Sequence, residues 1–412
     1  MICLVACTAC GATTSEHEAP ADPSVYRMDY VLKLDPADGT AEVSVRVAQS
    51  SSLLREMSFR LPDTIDAVDG DGNLTRDGRT VRWQPPTRGG SLSWRARINH
   101  RRNGNGHDAW LGADWGLFRA EDVIPRARSR TLRGARSETW LSFRLPPGWS
   151  VVTQYFGRDS RFRIDNPERR FDQPSGWMVA GELGVRRETI AGMKVAVAGP
   201  VGHSIRRMDI LAMLNWTLPE LARLLPTLPP RLTIISAGDP MWRGGLSAPL
   251  SLYMHADRPL ISENATSTLL HEVLHLSLGL SAETGYDWIV EGLAEYYSLA
   301  ILRRSNSISE ERYAQARRDL EAWSKEAELL CKPVSSGSTT ALAVMLFFEI
   351  DKELREATEG NASLDDVTRE LVSSDAKVTL EALKLAAEGL VGESFDALRI
   401  DRLPGCRTIA AM

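Results

Sequence analysis

The sequence predicts an α+β protein with an N-terminal antiparallel β-sandwich domain, followed by a mostly α-helical domain that contains a small sheet. Two patterns carry this prediction. Apolar and polar residues alternate with period two through residues 25–190, whereas later segments show the three-to-four-residue spacing of helices. A chain of 412 residues is also long enough for two hydrophobic cores. We therefore divide it into a leading segment 1–24, a β-rich domain 25–195 and a helical domain 196–412.

Period-two alternation marks the strands of the first domain. Residues 26–34, 43–47 and 57–61 place an apolar side chain at every second position, as half-buried strands do. Asp77 and Gly78 suit a tight hairpin turn between two further strands. We expect long loops through the arginine-rich part that follows.

Helical spacing begins after residue 200. Residues 208–225 predict a helix, 231–237 a short buried strand, and 244–257 a second strand entered through a glycine turn. The remainder predicts helices almost to the end, including one over 265–279 capped by Asn264 and one capped by Ser363 with Asp366 three residues on.

The first ten residues, MICLVACTAC, are apolar and end in small residues. Within them, LVAC resembles the lipobox of bacterial lipoproteins, in which the cysteine carries a lipid, and a polar stretch follows as a tether would. We therefore expect an exported protein of the cell envelope, in the periplasm or membrane-anchored through a lipid at Cys7. Cys331 and Cys406 either form a disulfide in that oxidising compartment or remain two free buried thiols.

Charge and hydropathy exclude two classes of protein. The net charge of −5 argues against a nucleic-acid partner, and no apolar run approaches the ~20 residues of a membrane helix. The local exception is 119–136, with six arginines against two acids. This stretch is either a solvated loop face or a patch facing an acidic substrate or a lipid surface.

The segment TLLHEVLHLSLGLSAETGYDWIVEGLAEYYS carries the chemistry. His271 and His275 are four residues apart, so a helix places both imidazoles on one face, where they reach a single ion. Glu272 lies next to that site, and the HExxH pattern combines two zinc ligands with a general base. The alternative is a buried helix that carries two histidines with ordinary partners. We assign Glu291, on the next predicted helix, as the third ligand and Glu295, one turn later, as a hydrogen-bond acceptor for a ligand histidine.

HEVLH followed by WIVEGLAEYYS resembles the gluzincin metallopeptidases, and among them the M1 aminopeptidases and the M61 glycyl aminopeptidases. The resemblance implies a thermolysin-like zinc domain, one zinc ion per chain and a peptide or protein substrate. It also implies that GGLSAPLS is the edge strand that binds substrate, through Gly245, Leu246 and Ser247.

Three features depart from these families. Fifteen residues separate His275 from Glu291, fewer than in the M1 and M61 enzymes, and Ser247 and Ala248 stand where the edge strand carries a glutamate. The tyrosine that stabilises the oxyanion is missing from KPVSSGSTT, where the families place it. Tyr286, Tyr253 and His255 are the candidates for that donor.

The sequence therefore predicts a zinc-dependent metallopeptidase in which Glu272 takes the proton of the attacking water. The alternative is an envelope protein that binds zinc but has lost the machinery for hydrolysis. The departures at Ser247 and at the missing tyrosine favour the alternative, whereas the retained Glu272 favours the enzyme.

Overall fold

A computed structural model of the protein describes residues 19–102, 106–166, 173–374, 376–392 and 394–407, and these residues form two units. One unit comprises the described residues up to His100 together with Leu111–Val151 and Tyr155–Ser175. The other comprises Arg101–Trp110, Val152–Gln154 and the described residues from Gly176 onward. Cys7 and the lipobox-like segment lie outside the described residues.

Short strands dominate the described residues before Gly176. In chain order the elements are β1 (Val25–Asp35), β2 (Thr40–Ala48), β3 (Leu54–Arg60), β4 (Ile65–Gly70), β5 (Asn73–Asp77), β6 (Thr80–Gln84), β7 (Gly89–Arg97), β8 (His100–Arg101), β9 (His107–Leu111), β10 (Trp115–Arg119), α1 (Ala120–Val123), β11 (Ala127–Thr131), β12 (Arg136–Arg144), β13 (Ser150–Val152), β14 (Gly157–Arg158) and β15 (Arg161–Ile164).

Two sheets of the first unit form the predicted sandwich. Their strand orders are β14-β15-β12-β1-β2-β7-β4 and β11-β3-β6-β5. Apolar side chains pack between them, and the rings of Phe59 and Trp94 have centroids 6.0 Å apart. The predicted antiparallel pairing does not hold for β1 and β12, which run parallel. These strands are far apart in sequence and no tight turn links them, so local sequence does not determine their relative direction.

The arginine-rich stretch is not the long loop that the sequence predicted. It contains α1 and β11, and β11 pairs with β3 at the edge of the smaller sheet. Arg130 contacts Glu56 at 3.5 Å, while Arg128 is exposed. Arginine alternates here with Ala127, Ser129 and Thr131, which is the period-two pattern of a strand. The many charged residues make this pattern hard to recognise in the sequence.

The second unit combines a five-stranded sheet with the longer helices. From Gly176 onward the described elements are β16 (Trp177–Gly181), β17 (Leu183–Ile190), β18 (Met193–Pro200), α2 (Arg207–Leu224), β19 (Arg231–Ala237), β20 (Gly245–Ala248), β21 (Ser251–His255), α3 (Thr268–Leu278), α4 (Asp287–Arg304), α5 (Glu310–Ser324), α6 (Ser338–Ala357), α7 (Leu364–Ser373) and α8 (Leu380–Val391). The sheet has the strand order β17-β18-β19-β21-β20, and its buried side chains share one hydrophobic core with those of the helices.

The division between the units differs from the predicted boundary at 195/196. That boundary falls inside β18, which pairs in parallel with β19 and antiparallel with β17. A strand hydrogen-bonded on both sides cannot be separated from its sheet, so β17 and β18 belong to the second unit.

The predicted single strand over 244–257 is wrong. This segment instead forms a hairpin in which β20 and β21 pair antiparallel, with Ala248 opposite Ser251. The turn consists of Pro249 and Leu250, and Leu250 has a φ of 52°. A leucine in that conformation carries no sequence signal for a turn, because left-handed turns are usually made by Gly, Asn or Asp.

Helix α3 begins later than predicted. Ser267, rather than Asn264, is its N-cap, and the Ser267 side chain accepts a hydrogen bond of 3.2 Å from the Leu270 N–H. Gly279 ends the helix in the left-handed conformation, with a φ of 62°. The predicted cap of α7 by Ser363 and Asp366 is confirmed.

Cys331 and Cys406 form a disulfide, which decides between the two alternatives that the sequence left open.

Within the described part of the chain, none of the helices has both the length and the apolar character that crossing a bilayer requires.

Helix α4 is the central helix of the second unit, buried on all sides along most of its length. Gly292 lies where α4 contacts α6: a Cβ atom at this position would lie 2.6 Å from the Ala343 Cβ and 2.8 Å from the Phe347 ring. The two helices therefore approach each other more closely than a side chain at residue 292 allows. Since Glu291 is the adjacent residue, this packing also sets the position of a predicted metal ligand.

We predict that Gly292→Ala lowers the free energy of unfolding by about 1–3 kcal/mol, because the added methyl group overpacks the α4–α6 contact. Gly389→Ala is the matched control, since a Cβ there meets nothing within 4 Å and alanine favours the α8 helix. Chemical denaturation of both variants checks this. Equal stability of Gly292→Ala and the parent protein would contradict the close contact.

Candidate metal centre

The packing of α3 against α4 brings the predicted ligands together. His271 and His275 lie one turn apart on α3, and Glu291 lies on the facing side of α4. One ligand atom from each of the three residues lies within 4.8 Å of the other two. All three side chains are largely buried, with exposures of 19%, 16% and 28%. The structure therefore brings the three residues together, and their role as metal ligands stays a prediction.

The donor separations fit a tetrahedral zinc ion. The two Nε2 atoms are 2.9 Å apart, and each lies 3.4 Å from a carboxylate oxygen of Glu291. Zinc bound at ~2.0–2.1 Å from each of its tetrahedral ligands holds those ligands about 3.3 Å apart. Two imidazole nitrogens and one carboxylate oxygen are also donors that zinc prefers. The cluster leaves a fourth position for a water molecule or a substrate.

Glu295 supports the cluster from one turn farther along α4. Its Oε2 lies 3.0 Å from the His271 Nδ1, which places the proton of a neutral His271 on Nδ1 and leaves the Nε2 lone pair for a metal. Burial opposes charge on His271, but hydrogen bonds to Glu291 and Glu295 outweigh it and raise the pKa of the imidazole to about 10. Burial likewise opposes charge on Glu291, but hydrogen bonds to His271 and His275 lower its pKa to about 2.

Glu272 lies between the two histidines in sequence and is 9% exposed. Its side chain faces β20, where a Cβ atom on Gly245 would lie 3.0 Å from the Glu272 Cγ and 2.5 Å from the Thr268 Cγ2. Glycine at residue 245 therefore lets the edge strand approach the carboxylate. The predicted general base and the predicted substrate strand are neighbours in the structure.

Strand β20 forms an edge of the five-stranded sheet, with β21 as its neighbour on one side. The His255 N–H donates to the Gly244 carbonyl at 2.9 Å, which fixes the alternation of the ladder. By that alternation, Leu246 and Ala248 direct their backbone groups to β21, whereas Gly245 and Ser247 direct theirs to the open edge. The Leu246 carbonyl also accepts a hydrogen bond of 2.9 Å from the Trp177 indole.

A pocket of about 370 Å³ opens beside the cluster. His271, Glu291 and Glu295 form one part of its wall. The rest comes from the N-terminus of α3, the end of α5 and the start of α6, namely Thr266, Ser267, Thr268, Leu320, Trp323, Ser335, Ser336, Gly337, Thr340 and Ala341. The pocket therefore lies next to the predicted metal ligands.

Comparison with known proteins identifies the fold. No protein-family model and no curated protein sequence matches the chain. Among solved structures, the chain is similar to an aminopeptidase N family protein from Idiomarina loihiensis, with a TM-score of 0.62 and 18% identity over 84% of this chain and 70% of that one. It is also similar to a mutant of the M1 zinc metallopeptidase from Deinococcus radiodurans, with a TM-score of 0.57 and 14% identity over 91% of each chain.

The chain has the fold of an M1 zinc metallopeptidase. This confirms the predicted β-rich N-terminal part and helical second part, and it supports the resemblance to the gluzincins. The closer assignment to the M61 group stays a prediction.

The three predicted oxyanion donors occupy buried positions. Tyr286, Tyr253 and His255 are absent from the described residues that line the pocket. The Tyr253 hydroxyl donates to the Trp242 carbonyl at 2.7 Å. His255 is fully buried, with its Nε2 3.6 Å from Asp239, and Tyr286 is buried just before α4. The assignment of an oxyanion donor among them stays a prediction.

Sequence reasoning missed the pocket wall formed by Trp323 and residues 335–337. The signal was present in KPVSSGSTT, a polar run with glycine that precedes an apolar helical segment. The sequence did not indicate a pocket role for Trp323, because a tryptophan at the end of an amphipathic helix is usually a packing residue.

Proposed function

We propose that the protein is a zinc-dependent metallopeptidase that hydrolyses peptide bonds. One observation carries the proposal: His271, His275 and Glu291 converge at donor separations that suit zinc, beside Glu272 and an open pocket. The fold shared with M1 zinc metallopeptidases supports it.

The cluster would hold one zinc ion per chain through the Nε2 atoms of both histidines and the Glu291 carboxylate. When bound, zinc supplies Lewis acidity, which lowers the pKa of water towards ~7 and polarises a carbonyl group. Glu295 orients His271 through its Nδ1, so that the metal-binding nitrogen stays unprotonated.

Glu272 is the proposed general base. It takes a proton from the water that attacks the scissile carbonyl and passes it to the leaving amine. Its position between two ligands, facing Gly245, places the carboxylate between the cluster and the edge strand. The small Gly245 leaves that approach unobstructed.

Strand β20 is the proposed substrate strand. The backbone groups that Gly245 and Ser247 direct to the open edge can pair with an extended peptide, in the manner of β-strand addition. This pairing recognises main chain and not side chains, so it places the scissile bond without selecting the sequence.

A specific observation favours the alternative of a zinc-binding protein without activity. Tyr286, Tyr253 and His255 do not line the pocket, so the second oxyanion donor has no assigned residue. The alternative does not explain why a buried carboxylate, Glu272, lies beside three side chains that already suffice to hold a zinc ion. We therefore favour the enzyme.

We predict that the purified protein binds one equivalent of zinc and that His271→Ala loses most of it, because one of three ligands is gone. Glu295→Gln keeps the ligands but weakens zinc affinity by about 10–100-fold, through loss of the carboxylate that orients His271. Elemental analysis and competition with a chelator measure both effects. His100→Ala, at an exposed histidine outside the cluster, is the control. A full equivalent of tightly bound zinc in His271→Ala would refute the ligand assignment.

We predict that Glu272→Gln keeps zinc and stability but loses about 10²–10⁴-fold in the rate of peptide hydrolysis, since an amide cannot accept the proton. Digestion of a peptide library, followed by mass spectrometry, gives the rates. The exposed Glu263, changed to Gln, is the control for an added amide nearby. If the zinc-loaded parent protein cleaves no peptide and Glu272→Gln equals it, the protein is the inactive zinc-binding alternative.

We further propose that the protein acts in the cell envelope. The Cys331–Cys406 disulfide supports this, because such bonds persist in oxidising compartments, and the LVAC segment at Cys7 suggests a lipid anchor. Fractionation of producing cells is expected to place the protein in the envelope with both cysteines oxidised. Recovery from the cytoplasm with two free thiols would exclude this location.

A further inference from the structure

We propose that the pocket beside the cluster binds an uncharged, apolar side chain of the substrate, next to the scissile bond, and that Trp323 determines this preference. The inference rests on the proposed peptidase function, because it assigns the substrate class of the same site.

The position of the pocket is the first reason. It shares its wall between the metal ligands and the pair of helices α5 and α6. A side chain that occupies it therefore belongs to a residue at or next to the bond that the cluster addresses. Its volume of about 370 Å³ is sufficient for a large aliphatic or aromatic group.

Trp323 is the second reason. It is a large apolar side chain that remains 47% exposed, although it lines a cavity. Leu320, one turn earlier on α5, and Ala341 on α6 add apolar surface to the same wall. A bound apolar group removes this exposed surface from water, and that removal is the driving force of apolar binding.

Gly337 holds the start of α6 close to the tryptophan. Its φ is 61°, and a Cβ atom there would lie 3.5 Å from the Trp323 Cζ2. Ser335 connects this segment to α4, since its backbone N–H donates to the Asp287 Oδ2 at 2.7 Å. This part of the pocket wall is thus tied to α4 by a hydrogen bond, so it is a preformed surface.

Charge is the third reason. Apart from His271, Glu291 and Glu295, the described residues that line the pocket carry no ionisable side chain. A lysine or aspartate side chain entering it would lose hydration. Glu291 and Glu295 are already paired with His271, at 3.4 and 3.0 Å, so they are poor partners for a lysine. The N-terminus of α6 offers only partial positive charge to an acidic side chain.

The test uses alanine hexapeptides with Phe, Leu, Gly, Asp or Lys at one central position. The zinc-loaded parent is expected to cleave the Phe and Leu peptides beside the varied residue with kcat/KM at least about tenfold above the Gly, Asp and Lys peptides. Trp323→Ala is expected to abolish that preference, and Trp323→Phe, which keeps an aromatic ring, to retain most of it. Trp216→Ala is the matched control, because Trp216 is 63% exposed on α2 and does not line the pocket.

A second measurement does not depend on turnover. Calorimetry with Glu272→Gln, which is expected to bind peptides without cleaving them, should show the Phe peptide binding more tightly than the Asp peptide, and Trp323→Ala in this background should remove the difference. If cleavage persists and Trp323→Ala leaves the preference unchanged, or if the Asp peptide is preferred, the inference is wrong while the peptidase function stands. If no peptide is cleaved but the calorimetric difference depends on Trp323, the pocket assignment stands and the peptidase function fails.

Discussion

The close packing of α3 against α4 is the constraint on which the site depends. Two histidines from one helix and a glutamate from the other share a space in which each ligand atom is within 4.8 Å of the rest. A polar or charged side chain is costly to bury without a partner, so each of these three side chains needs the other two in order to stay buried. The contact is held from outside the cluster, by the Ser267 cap of α3 and by Gly292, which lets α4 approach α6.

Charge balance explains why this packing favours a cation. Glu272, Glu291 and Glu295 bring three carboxylates into the region that also holds the two imidazoles. Hydrogen bonds to Glu291 and Glu295 raise the pKa of His271, which favours a positive charge beside these carboxylates. A divalent cation would serve the same charge balance, with both imidazoles as neutral ligands.

The sequence predicted the parts of the site that follow from local periodicity. The spacing of His271 and His275 determines their common face once a helix forms, and the second motif placed Glu291 and Glu295 on the next helix. It could not predict features set by distant contacts, such as the parallel pairing of β1 with β12 or the approach of Trp323 to the cluster. Asn264 and Ser267 are both good caps, and only the path of the chain before α3 selects the serine.

Under the proposed function, reactivity and selectivity come from different helices. The proposed ligands and base lie on α3 and α4, whereas the pocket wall that meets a substrate side chain comes from α5 and α6. The hydrogen bond from the Ser335 N–H to Asp287 joins the two sets, because it links the segment before α6 to the first turn of α4. A change in the wall at Trp323 alters what fits beside the cluster without moving a ligand, whereas a change at Asp287 affects both. Substrate choice can therefore change along α5 while the metal centre is retained.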